Sequence, residues 1–161
     1  MAIREIRKNG DPILHKTCKA VKVFDEKLHT LLDDMHETLA SYDGVGLAGP
    51  QVGILKRVFI CDYEGQRIEA VNPEIIGSEG EQTGKEGCLS VPDEWYDVTR
   101  PEKVTLKAMD RSGKEFVMDA EGLIARCICH ETDHLDGILF TQRITEEEKQ
   151  RQLDGSSEDE E

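Results

Sequence analysis

The chain has no long apolar run. Its start, Met1-Ala2-Ile3-Arg4-Glu5-Ile6, offers nothing of signal-peptide length, and no later stretch could span a membrane. Positive charge is short as well: 20 Lys and Arg stand against 34 Asp and Glu, for a net charge of −14. That balance argues against a broad basic face for nucleic acid, so no direct nucleic-acid binding is expected. The five cysteines are odd in number and follow no regular framework, which points to reduced thiols in a cytosol and not to a disulfide scaffold. No repeat period is evident. At 161 residues one domain can bury a core without staples. With no transit peptide visible, a bacterial-type cytoplasmic protein is the expectation.

The stretch that carries chemistry is Cys129-His130-Glu131-Thr132-Asp133-His134-Leu135-Asp136-Gly137. Residues four apart lie one above the other on a helix, so His130 and His134 can grip one metal ion from a single turn. Glu131 sits at the edge of that face, within reach of a metal-bound water. Leu123, Ile124, Cys127, Ile128 and Leu135 supply apolar positions at helical intervals. Asp119 or Glu121 near the start suits the helix dipole, and Gly137 is placed as a stop. Asp133 and Asp136 flank His134 and either could orient a ligand, but solvation is the expected state of each.

Upstream, residues 1–24 read as an irregular arm in which Ile13, Leu14, Val21 and Val23 need cover. A helix is predicted from Asp25, with Leu28, Leu32, Met35 and Leu39 forming its apolar stripe. His29 and His36 fall off that stripe and are expected to be exposed. After Tyr42-Asp43 comes Gly44-Val45-Gly46-Leu47-Ala48-Gly49-Pro50-Gln51-Val52-Gly53. As a phosphate cradle this segment is weak, because no Lys-Ser/Thr pair closes it. A loop that admits a substrate backbone, or a plain turn, fits as well.

From Arg57 to about Asp119 the pattern is β-like. Short strands are predicted at 58–61, 68–71, 104–108 and 116–118, parted by Asn72-Pro73, Arg100-Pro101 and a hairpin turn over 110–114. Connections this short favour antiparallel pairing. The fold class is therefore α+β: short antiparallel sheets packed around a central metal-binding helix, in one domain with an N-terminal helix. Residues 1–145 form the catalytic domain in this reading. Residues 146–161 form an acidic tail, a short helix followed by a disordered end from Asp154.

Two histidines leave a catalytic metal one protein ligand short. Lys85-Glu86-Gly87-Cys88-Leu89-Ser90-Val91-Pro92 offers a thiolate in a turn, although spacing alone gives Cys88 no privilege over Cys61 or Cys18. Taken together, Gly44-Val45-Gly46-Leu47-Ala48-Gly49-Pro50-Gln51, Glu86-Gly87-Cys88-Leu89-Ser90 and His130-Glu131-Thr132-Asp133-His134 resemble the three ordered motifs of the peptide deformylases. The resemblance runs from Gly10 to about Arg143. It implies Cys88, His130 and His134 as metal ligands and Glu131 as general acid/base. It also implies that Gln51 and the Leu89 N–H donate to the oxyanion. Gly44, Val45, Gly46, Glu86 and Gly87 would pair with the substrate backbone. The implied metal is one divalent ion, Fe(II) foremost, with Zn, Ni or Co as substitutes. The implied substrate is a nascent peptide beginning with N-formylmethionine, met transiently near the ribosome and split into formate and a free amine.

Departures from the family pattern are few. Gly49 stands where Ala is common and is expected to loosen its loop. Cys129 stands where Gln is common. Arg126 stands where an apolar residue usually lines the methionine pocket, and its stem is expected to snorkel with the charge in solvent. Trp95, just past the cysteine loop, either flanks the substrate or packs. Two other readings compete. One is a metallopeptidase on the same helix. The other is a closed structural zinc or redox-sensing site built from Cys88, Cys127, Cys129 and the histidines.

Overall fold

The computed structural model describes residues 2–159, with side chains through Gly155. The strand β2, Val58–Tyr63, is packed on both faces. Side chains alternate across a strand, so Val58 and Ile60 face one way and Phe59 and Cys61 the other, all four buried. Val58 and Ile60 join Leu28, Leu32, Met35 and Leu39 of α1, Glu26–Ser41. Phe59 and Cys61 join Ala125, Cys127, Ile128 and Leu135 of α2, Leu123–Leu135. One sheet is thus covered by the two predicted helices, one on each face.

That sheet is antiparallel, in the order β1-β2-β3-β6-β7. β1 is Gly46–Ala48, β3 is Gln66–Glu79, β6 is Lys103–Met109 and β7 is Glu115–Glu121. Asn72-Pro73, expected to end a strand, lies inside β3. Asn72 takes a positive φ of 51°, and the register shifts between Val71 and Glu74, so the proline is absorbed by a bulge instead of a break. A separate hairpin pairs β4, Gln82–Cys88, with β5, Val91–Arg100. It is poor in apolar alternation on one face, which explains why sequence periodicity did not reveal it.

The helix ends follow local rules in part. Asp25 caps α1 by accepting the Leu28 N–H at 3.2 Å. At α2 the expected acidic start is absent: Asp119 and Glu121 belong to β7, and Gly122 precedes the helix without a side-chain cap. Gly137 follows α2 with φ 76°, the left-handed stop expected of it. Leu14 and Val21 of the arm are buried, whereas Val23 is exposed.

His29 and His36 are not free in solvent. His36 Nε2 meets Glu69 Oε2 at 2.7 Å, and His29 Nε2 meets the Arg111 carbonyl at 2.9 Å. Their partners come from β3 and the β6–β7 turn, distant in sequence.

A third helix, α3, spans Glu146–Asp159. Thr145 Oγ1 accepts the Glu148 N–H, and Lys149–Glu146 and Arg151–Glu148 pairs lie on its surface, devices that favour a helix. Of the segment from Asp154 expected to be disordered, the helix includes residues through Asp159; Glu160 and Glu161 lie outside the described residues. The Gln152 side chain clasps β5: its Oε1 accepts the Asp97 N–H and its Nε2 donates to the Asp97 carbonyl at 3.0 Å. Among the described residues no helix is long and apolar enough to cross a membrane.

Candidate metal centre and active site

α2 carries His130 and His134 one turn apart, and the end of β4 carries Cys88. His130 Nε2 and His134 Nε2 are 3.3 Å apart, and Cys88 Sγ lies 3.4 Å from His134 Nε2. Among the described residues this is the one cluster of three such donors, all within 4.8 Å of one another. Three lone-pair donors facing one another are satisfied only by a shared proton or a cation. A metal ion fits the set.

The groups behind the ligands are ionic. His130 Nδ1 is bonded to Glu86 Oε2 at 2.7 Å; with the proton on Nδ1, the neutral ring turns the Nε2 lone pair toward the cluster. Glu86 in turn takes two bonds from Arg100 and one, at 2.8 Å, from Arg126. Arg100 continues to Asp133 at 2.7 Å, and Arg143 closes on Asp133 from the far side. Burial acts to raise the Glu86 carboxyl, but bonds from His130 and Arg100 prevail and hold it far below the carboxylate range. His134 has no such support: its Nδ1 is buried without a partner among the described residues. Burial disfavours charge on both rings; Glu131, Cys88 and Glu86 overcome this at His130, while His130 adds to it at His134.

Two expectations are corrected here. Arg126 does not snorkel: it is 5% exposed, its guanidinium held by Glu86, a carboxylate that only the folded hairpin brings within reach. Asp133 is not solvated but buried between Arg100 and Arg143. Asp136 is half-exposed and pairs with Arg57 at 3.0 Å.

Glu131 is buried, and its Oε1 has no partner among the described residues. Burial pushes its carboxyl up to about 7. Gly46 of β1 lies directly against it: a Cβ there would come within 2.5 Å of Glu131 Oε2 and 2.6 Å of Cys127 Sγ. The Gln51 amide is oriented by its neighbours. Its Oε1 accepts the Ala48 N–H at 2.9 Å, so Nε2 points at Ser90 Oγ (3.1 Å) and Cys88 Sγ (3.6 Å).

These groups border a cavity of about 510 Å³ whose lining includes Gly44, Val45, Gly46, Gln51, Gly87 and Leu89. Among the described residues β1 pairs only with β2, and β4 only with β5. Each therefore keeps a bare edge, and residues of both strands line the cavity. Trp95 lies over Gly87, leaving no room for a Cβ there, and remains 61% exposed at the rim. Gly49 does not loosen its loop, because a Cβ would meet the Ile54 and Lys56 carbonyls at 2.7 and 2.8 Å. Cys129, buried, and Cys127, whose Sγ lies against Cys61, stay outside the donor cluster.

The sequence model for "Polypeptide deformylase" matches residues 3–150. The chain belongs to the polypeptide deformylase family. A peptide deformylase of Caldicellulosiruptor bescii is 54% identical over 144 residues, covering 89% of this chain and 87% of that protein. One from Agathobacter rectalis is 52% identical over 144 residues, with 89% and 91% covered. The crystal structure of a peptide deformylase from Legionella pneumophila superposes with a TM-score of 0.88 at 44% identity, covering 97% of this chain and 96% of that one. Deformylases are metal-dependent hydrolases, and the Cys-His-His cluster is where this deformylase fold offers an ion its ligands.

Sequence reasoning missed the side chains of Glu86, Arg100, Asp133 and Arg143 as one network. A weak signal existed for two of the four: Glu86 and Asp133 are carboxylates inside the motifs, whereas Arg100 and Arg143 lie well outside them.

Proposed function

We infer that the chain removes the N-formyl group from the N-terminal methionine of newly made polypeptides, releasing formate. The observation that carries this reading is the convergence of Cys88 Sγ, His130 Nε2 and His134 Nε2 beside a buried carboxylate oxygen of Glu131 that has no partner among the described residues.

Cys88, His130 and His134 hold one divalent ion, with Fe(II) favoured and Zn, Ni or Co as substitutes; thiolate and imidazole donors suit iron or zinc. When bound, such an ion would supply Lewis acidity and would lower the pKa of water toward neutrality. Glu131 takes the proton of the attacking water and delivers it to the departing amine nitrogen, which cannot leave as an anion. Gln51 Nε2 and the Leu89 N–H donate to the formyl oxygen as it gains charge, each bond worth roughly 3 kcal/mol. Gly44, Val45 and Gly46 on one side, and Glu86 and Gly87 on the other, pair with the peptide backbone as added strands. Residues 1–145 form the catalytic domain in this reading, and 146–161 an acidic appendage.

The partners are N-formylmethionyl nascent peptides, met in the cytoplasm by transient approach to the ribosome. The net charge of −14 is repelled by RNA phosphates, which opposes direct nucleic-acid binding. No membrane contact is involved.

The test is formate release from an N-formylmethionyl tripeptide, with protein handled without oxygen and Glu131→Gln alongside. The parent should turn over, and the variant should lose about 10²–10⁴-fold in kcat while retaining its metal. A folded, metal-loaded parent that yields no formate would sink the reading.

A further inference from the structure

Two thiols outside the metal cluster touch. Cys61 of β2 and Cys127 of α2 have their sulfurs 2.8 Å apart. That is well inside the about 3.5–4.0 Å of ordinary carbon contacts, and a closure of less than about 1 Å from a disulfide bond length. All five cysteines are free. The two residues differ in exposure, 0% for Cys61 and 7% for Cys127. Cys61 is fully buried, whereas Cys127 lines the active-site cavity. Cys127 is also crowded there: Gly46, directly opposite Cys61 in the β1–β2 register, has no space for even a methyl group beside Cys127 Sγ.

We propose that Cys61 and Cys127 are a peroxide-oxidisable pair, in which Cys127 reacts through the cavity and Cys61 resolves it as a disulfide. A small hydroperoxide first transfers an oxygen to the Cys127 sulfur. Its O–O bond breaks, an alcohol or water leaves, and a sulfenic acid remains. The Cys61 sulfur then attacks the Cys127 sulfur; the S–S bond forms, the S–O bond breaks, and water departs with the Cys61 proton. Two thiols are oxidised and one hydroperoxide is reduced. The 2.8 Å approach of the two sulfurs favours the second step, because the attacking sulfur is already beside its target. The bond to Cys61, with burial added, holds the Cys127 thiol well above its usual range, so the first step is slow compared with an exposed thiolate. The pair therefore guards the pocket wall beside Glu131: oxidation there ends in a reducible bond and does not proceed to an irreversible acid.

The assignment is read by mass and stands apart from the deformylation reaction. Metal-loaded protein is exposed to hydrogen peroxide, alkylated and digested with trypsin without reduction. Cleavage after Arg57, Arg67, Arg126 and Arg143 yields fragments 58–67 and 127–143. The expected dominant product is these two joined, separable by reductant, with fragmentation assigning the link to Cys127. Cys129→Ser should keep the link. Cys61→Ala should abolish it and leave Cys127 carrying oxygen that reductant cannot remove. Recovery of Cys127 as a free thiol while Cys88 or Cys129 is oxidised would overturn the proposal, as would a link that runs to Cys129. Both are visible in the parent protein alone, so misfolding of a variant cannot mask them.

Discussion

α2 is held on two sides by different physics. Toward the five-stranded sheet it presents Ala125, Cys127, Ile128 and Leu135 to Phe59, Ala70 and Leu106, a dry contact. Toward the β4–β5 hairpin it presents Arg126, His130 and Asp133 to Glu86 and Arg100, a buried ionic ladder. Dry packing is non-directional and sums over area. An ionic contact is directional: it costs desolvation, and its benefit depends on angle and distance. The hairpin carries Cys88, so the side where geometry must be fixed to a fraction of an ångström is the side built from charges. Both sides resist unfolding, but only the hairpin side also sets the position of the donor groups.

Four substitutions separate those roles, from the largest expected effect to the smallest. Glu86→Ala removes the carboxylate shared by Arg100, Arg126 and His130. A loss of about 3–5 kcal/mol in denaturant unfolding is expected, together with roughly 10–100-fold weaker metal retention, read by competition with a chelator. Ile128→Ala on the dry face should cost about 2–5 kcal/mol yet leave metal per folded molecule unchanged. Equal weakening of metal binding by both variants would erase the distinction. Arg126→Met keeps the stem and deletes one arm of the ladder, at about 1–3 kcal/mol; a neutral result would show Arg100 to be sufficient.

The fourth sharpens the contrast with an ionic cluster that water reaches. Burial acts to raise the Glu69 carboxyl, but bonds from His36 and Arg111 prevail and hold it at about 2, against an ordinary 4.5. The folded state thus binds this proton less readily than the unfolded chain. Its contribution is complete above the unfolded value and fades as pH falls from about 4.5 toward 2. Glu69→Gln should cost only about 1 kcal/mol at neutral pH, once solvent screening is allowed for. The difference between parent and variant should vanish in acid unfolding curves.

Legibility in the sequence followed the same division. The dry contacts were visible because they repeat: α1 and the apolar side of α2 came from periodicity, and β2 from a run of apolar residues. The candidate site residues could be named because chemistry confines them to a spacing, as with His130, Glu131 and His134, or because a motif resembles a family's, as with Cys88 and Gln51, and the structure brings them together around one cavity wall. The ladder was not. Arg126 read as a snorkelling side chain because its partner lies 40 residues away, and Glu86 read only as backbone because the hairpin that turns its carboxylate inward has no apolar rhythm. Gly49 read as a loosened position because the carbonyls pressing on it, Ile54 and Lys56, leave no mark on composition. Pairwise, long-range and polar features are those that one sequence hides best.

The clasp of Gln152 on Asp97 has a consequence for how the chain can vary. Asp97 belongs to the outer strand of the hairpin, and its N–H and carbonyl are the sort of bare edge groups that invite another molecule to add a strand. With Gln152 of α3 occupying them, β5 offers no bare groups at Asp97, whereas the open edges of β1 and β4 lie at the cavity. The turns of α3 before Gln152 thus do more than carry charge: their length and helical phase set where that amide meets the hairpin.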